Sequence, residues 1–135
     1  MPGSRGEVDA LLAQADDHNK NVRNRVAREL GKLADPDARE AIAEATRSAE
    51  WRRRFAAARA MWMWPDAQRL PASELQALLT DQHDSLRWAA VRTLPMRERL
   101  HAVGPLAATD PSPTVRRAAL LSLAAPTSLV KQEAE

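Results

Sequence analysis

DQHDSLRWAAVRTL, Asp81 to Leu94, is answered a little further on by DPSPTVRRAALLSL, Asp110 to Leu123. In both, an aspartate stands six residues before an arginine and a leucine stands seven after it. Two further copies lie upstream: DHNKNVRNRVAREL from Asp17 and SAEWRRRFAAARAM from Ser48. With Arg23, Arg54, Arg87 and Arg116 in register, the spacings between them are 31, 33 and 29 residues. Self-similarity at a fixed period of this length marks a chain built from stacked supersecondary units.

Each copy reads as a helix. Small or branched apolar residues follow the register arginine at three and four positions (Val26–Ala27, Ala57–Ala58, Ala90–Val91, Ala119–Leu120), and Leu30, Met61, Leu94 and Leu123 follow at seven. That spacing puts them on one face of a helix. Ala is abundant, Val and Ile are few, and no segment alternates with period two. A second helix of each unit is expected to start near Asn19, Glu50, Asp84 and Ser112. Ser112 serves as N-cap and Pro113 as the first helical residue. A shorter first helix precedes each: about 7–16, 36–47, 73–80 and 97–109. Asp35–Pro36 and Ser73-x-x-Gln76 are the start signals for two of these. Gly31, Pro65, Pro95 and Pro126 are expected at the ends of the second helices. The units are then 7–33, 34–65, 70–95 and 97–125, within one repeat domain over 7–126. Residues 1–6 read as a flexible N-terminus and 127–135 as a polar cap or tail.

The pattern DxxxxVRxxAAxxL resembles HEAT-like repeats of the armadillo-like class, especially the short bacterial kind. Asp81–Leu94 and Asp110–Leu123 match closely, and Asp17–Leu30 matches well. The second unit departs, with Ser48 for Asp and Arg53 for an apolar residue. The resemblance covers about residues 7–125. It implies an all-α, right-handed solenoid of about four helical hairpins. It also implies a structural ladder, in which Arg23, Arg54, Arg87 and Arg116 bond Asp17, Asp81, Asp110 or nearby backbone.

Turning each residue by about 100° separates two sides of the second helix. Positions −1, +3, +4 and +7 from the register arginine form the core. Positions +1, +2, +5, +6 and +9 form the free side, which lines the concave surface in solenoids of the class the chain resembles. That side carries Arg25, Arg28, Phe55, Arg59, Met63, Trp88, Arg92, Met96 and Arg117, a groove at once basic, aromatic and thioether-rich. Phe55 and Trp88 are read as its open rings. Trp62 and Trp64 are read as packing at the end of a long helix, with Trp62 on the flank and Trp64 turned to the core.

Chemistry is sparse. The 135 residues contain no cysteine, which excludes disulfides, thiolate metal sites and a cysteine nucleophile. His18 and His83 lie among Asp16, Asp17, Asp81 and Asp84 in turns and are read as solvated, not as metal ligands. No phosphate-binding glycine loop is present. No enzyme, metal or cofactor is expected. The net charge of +2 is too small to argue for nucleic acid alone. No signal-like or membrane-spanning apolar run stands out, so a cytoplasmic protein is expected. The functional expectation is a protein-interaction module for an acidic, partly apolar peptide or subunit surface. A second reading is DNA binding without catalysis, on a basic, Trp-lined face like that of HEAT-like-repeat alkylpurine DNA glycosylases, and glycosylase-like activity is the enzyme alternative. Self-assembly through 127–135 is left open.

Overall fold

The computed structural model describes residues 4–134, with side chains placed for 4–99 and 101–124. Eight α-helices follow one another with no strand among the described residues: α1 (Arg5–Gln14), α2 (Lys20–Lys32), α3 (Pro36–Ala45), α4 (Trp51–Ala60), α5 (Ala72–Leu79), α6 (Asp84–Thr93), α7 (Arg99–Thr109) and α8 (Pro113–Ala134). Odd and even helices pair as the first and second members of four hairpins. The fold class is the all-α, helical-hairpin class of an α-solenoid. No described helix is long and apolar enough to cross a membrane.

The chain divides into two compact units, Met1–Gln68 and Arg69–Glu135. The boundary falls between the second and third hairpins. In the first unit α1 packs on α2 and α3, α3 on α4, and α2 along α4. Val8, Val26, Leu30, Ile42 and Met61 fill its core. In the second unit α5 packs on α6, α7 on α8, and α6 along α8. Its core is built on Leu75, Leu78, Leu86, Leu94, Val103 and Val115.

The helices start where their caps dictate. The Asn19 side chain accepts from the Asn21 N–H at 2.8 Å and starts α2. Asp35 accepts from the Ala38 N–H and starts α3, with Pro36 in the first turn. Ser112 Oγ accepts from the Val115 N–H at 3.4 Å ahead of Pro113. Gly31 stands one residue before the end of α2, as expected, though no glycine has positive φ among the described residues. Three expectations are corrected. Ser73 does not cap α5; the cap is Pro71, and the first N–H, of Ala72, donates to Glu98 Oε2 at 2.8 Å. The chain passes through Pro126 in helical conformation to Ala134, so Pro126 does not close α8. Residues 4–6 are not a loose leader, because Ser4 donates to Asp35 and Arg5 pairs with Glu44 at 2.8 Å.

Gly31 is instead required by close approach. A Cβ there would stand 2.6 Å from Met63 Sδ and 2.8 Å from the Ala60 carbonyl oxygen. The missing side chain lets α2 and α4 touch backbone to backbone, as the run of small residues Ala56, Ala57, Ala58 and Ala60 on α4 also does.

Candidate interaction site

The register arginines come first, because they set the turns that aim everything else. Each donates from Nη1 to the carbonyl six residues before it. Arg23 reaches Asp17 at 3.0 Å, Arg54 reaches Ser48 at 2.9 Å, Arg87 reaches Asp81 at 2.8 Å and Arg116 reaches Asp110 at 2.7 Å. Arg23 and Arg54 also bond the next carbonyl, of His18 and Ala49. The residue at that position closes the same turn with its side chain. Asp17, Asp81 and Asp110 accept the backbone N–H two residues on, at 2.7, 2.9 and 2.9 Å, and Ser48 Oγ does so at 3.2 Å. A carbonyl and a short polar side chain are all the turn needs. Ser48 can therefore replace Asp without loss of the arginine bond.

One rung reaches further. Arg87 Nε and Nη2 form a two-pronged pair with Asp110 of the following hairpin, at 2.8 and 3.1 Å. Their side chains are 12% and 2% exposed. Burial by itself would push the Asp110 carboxyl up. The bonds from Arg87 and the Ser112 N–H, with the charges of Arg87 and Arg116, outweigh it and hold the group below its ordinary value. The Arg87 guanidinium is raised, first by its bond to Asp110. In the first unit the comparable place in the following hairpin holds Ser48. There the link between hairpins runs instead from Arg53 Nη2 to Asp16 Oδ2 at 3.0 Å and from Arg52 Nη1 to the Asp16 carbonyl at 3.1 Å.

The free side of the second helix is narrower than helical angles alone predict. Position +5 is open on α2 and α6, where Arg28 and Arg92 are exposed; Arg59 is half-buried. Positions +2 and +6 are closed on α4 and α6: Ala56 and Ala60 are 3% and 0% exposed, and Ala89 and Thr93 are both 0%. A helix flanked on two sides buries a much wider arc than one lying on a single core. Arg25 is exposed, but it holds the register place of Ala56 and Ala89. It therefore belongs to the outer side of the first hairpin, not to the groove. Position +1 is a flank: Phe55 and Trp88 are half-buried rather than open rings, while Arg117 is exposed. On the core side, Val22 and Arg53 are only half-buried, and Leu120 is 58% exposed where Ala27, Ala58 and Val91 are buried.

A small cavity of about 110 Å³ opens on the first unit, lined by Ala27, Arg28, Arg59, Trp62 and Met63. The Arg59 guanidinium lies over the Trp62 ring, 5.5 Å from its centre, and Nη1 donates to Asn24 Oδ1 of the preceding hairpin at 2.8 Å. Met63 is 51% exposed. Trp62 and Asn24 were missed as site residues. Asn24 had a signal, since +1 of one helix and +5 of the next are neighbours in a stack. Trp62 had none at helical angles. The α-helix stops at Ala60, and Met61–Met63 continue as a tighter 3₁₀ turn, which swings each following side chain further round. Trp64 is buried, as expected, under the Arg39 guanidinium at 5.5 Å.

The second unit repeats the theme with different spacing. The Arg92 guanidinium lies over Trp88, 5.4 Å from the ring centre, and the Arg92 carbonyl accepts from Arg69 Nη1 at 3.2 Å. Met96 does not extend a helical column. It is half-buried in a separate 3₁₀ turn, Met96–Glu98, because α6 stops at Thr93 ahead of Pro95.

A family model described as HEAT repeats matches residues 8–95. No curated protein matches the chain, and no solved structure does.

Proposed function

The chain belongs to the HEAT-repeat family, and on that premise we propose that it is a non-catalytic interaction module whose Arg28–Arg59–Trp62–Met63 cavity takes an acidic side chain and an adjoining apolar one from a partner protein. HEAT repeats generally serve interaction and scaffolding, and stacked repeats offer extended binding surfaces. The observation that carries the reading is the make-up of the cavity: two guanidinium groups beside an indole and an exposed thioether. Arg59 is held in place by Asn24 and Trp62, so little side-chain entropy is lost when a carboxylate meets it. Arg is also suited to two-pronged carboxylate contacts. Trp and Arg are common where binding energy concentrates, and Met adapts to varied apolar shapes. Arg92 on Trp88 offers a second cationic site in the other unit.

The nucleic-acid reading is weaker on the same geometry. Bases bind single-strand proteins by stacking on aromatic faces. Here one face of Trp62 and one of Trp88 already carry a guanidinium. The test uses three probes: a fluorescent peptide of alternating Glu and Leu, its Lys–Leu counterpart, and single-stranded DNA. The Glu–Leu peptide is expected to bind saturably and to lose at least about tenfold in affinity in Arg28→Glu/Arg59→Glu. Equal binding of both peptides, or no effect of the double reversal, overturns the proposal. Saturable DNA binding abolished by that reversal, with no peptide binding, replaces it with the nucleic-acid reading.

A further inference from the structure

The chain has methionines but no cysteine, so thioether sulfur is its most readily oxidised group. Three methionines lie among the described residues, each in a different setting. Met61 is 0% exposed in the core of the first unit, and Met63, two residues on, is 51% exposed. Met96 is half-buried in the second unit.

Met63 is set apart by its neighbours as well as by its exposure. Its Sδ and Cγ lie against Gly31, 2.6 and 3.0 Å from where a Cβ on that residue would stand. The backbone of α2 therefore closes one side of the sulfur. The same side chain lines the cavity of about 110 Å³ with Arg28, Arg59 and Trp62. Arg59 is committed to Asn24 and to the Trp62 ring. Arg28 is exposed and makes no hydrogen bond or ion pair among the described residues. A thioether offers these guanidinium groups only a weak acceptor. One added oxygen would make it polar and give Arg28 a strong acceptor.

We propose that Met63 is a site of oxidation by peroxide, and that its sulfoxide closes the cavity to an acidic partner. With hydrogen peroxide, a sulfur lone pair attacks one oxygen. The S–O bond forms as the O–O bond breaks, the proton on the attacked oxygen passes to the departing one, and water leaves. Sulfur loses two electrons and the peroxide gains them. Because Gly31 covers one side of the sulfur, attack comes from the other, and one of the two sulfoxide epimers predominates. The new oxygen turns an apolar wall of the cavity polar. It also accepts from Arg28, which a partner carboxylate would otherwise meet. The closure rests on the interaction reading above; the site of oxidation does not.

Two measurements on the full chain test the two parts. Dilute hydrogen peroxide followed by peptide mass mapping should show added oxygen at Met63 well before Met96 or Met61. In the digested peptide, one of the two epimer-specific methionine sulfoxide reductases should remove most of that oxygen and the other little. Oxidation of Met96 or Met61 as fast as Met63, or equal removal by both reductases, overturns the site. The oxidised chain should then bind the Glu–Leu peptide about tenfold more weakly than the untreated chain. Met63→Leu, whatever its own affinity, should not change on the same treatment. Unaltered affinity at full conversion of Met63, or an equal loss in Met63→Leu, overturns the closure. If the untreated chain fails to bind the peptide, the interaction reading falls and the closure with it, while the mapping still decides the site.

Discussion

Arg87 and Arg23 occupy the same register place and bond the same carbonyl, yet they do unequal work. Arg23 stitches only its own turn, in bonds open to water. Arg87 adds two bonds to Asp110, whose carboxylate also accepts the Ser112 N–H. Asp110 is 4% exposed, so its charge is stable only because these donors surround it. Asp110→Asn is expected to destabilise the protein by roughly 2–4 kcal/mol at neutral pH, read by urea unfolding. The pH dependence follows from the direction of the shift. The folded state holds Asp110 below its ordinary value of 3.8. Its contribution is thus complete above that value and is lost as pH falls through the lower, folded-state value. Wild type should lose stability through this range on account of Asp110, and Asp110→Asn should lose correspondingly less. Parallel acid curves for the two proteins would show that the pair does not carry the effect.

At the scale of the element, Gly31 sets two magnitudes against each other. Alanine in a helix is favoured over glycine by about 1 kcal/mol, which argues that Gly31→Ala should stabilise α2. The added methyl would meet the Ala60 carbonyl oxygen at 2.8 Å, and backbone yields less readily than the flexible Met63 side chain. Overpacking of that kind costs about 1–3 kcal/mol. The steric term wins, so Gly31→Ala is expected to lower the melting temperature and to disturb the cavity beside Met63. A rise in melting temperature would mean that α2 and α4 can part without loss. The same helix pair shows what sequence could and could not reveal. Asn19, Asp35 and Ser112 start helices through short-range bonds that depend on residues two or three apart, and these were legible. Gly31 and Pro95 marked the ends of α2 and α6, but α4 gives way to a 3₁₀ turn at Met61, so Trp62 lies in the cavity when helical angles set it aside as packing.

Across the whole molecule, repetition made the fold readable well before any side chain was placed. The family match ends at residue 95, but the register of Arg116 with Arg87 extends the pattern through α7 and α8. Exposure was less readable, because it depends on what packs against each helix. Arg25, Ala56 and Ala89 share one register place and have opposite fates. The boundary between the units was equally hidden, since the period runs across it without a break. It lies in a stretch with its own physical character. Pro65 to Gln68 are exposed, no α-helix runs between Ala60 and Ala72, and prolines stand at 65 and 71. A protease must open several residues of backbone to cut, which inside a helix means breaking its hydrogen bonds and packing. Arg69 is the sole Lys or Arg between Arg59 and Arg87. Limited trypsin digestion is therefore expected to cut internally first after Arg69, giving two fragments of nearly equal size by mass spectrometry. Arg59 and Arg87 are anchored in α4 and α6 and should be cut later. A first internal cut at either of them would place the weakest link inside a hairpin, and the division into two units would not govern how the protein opens.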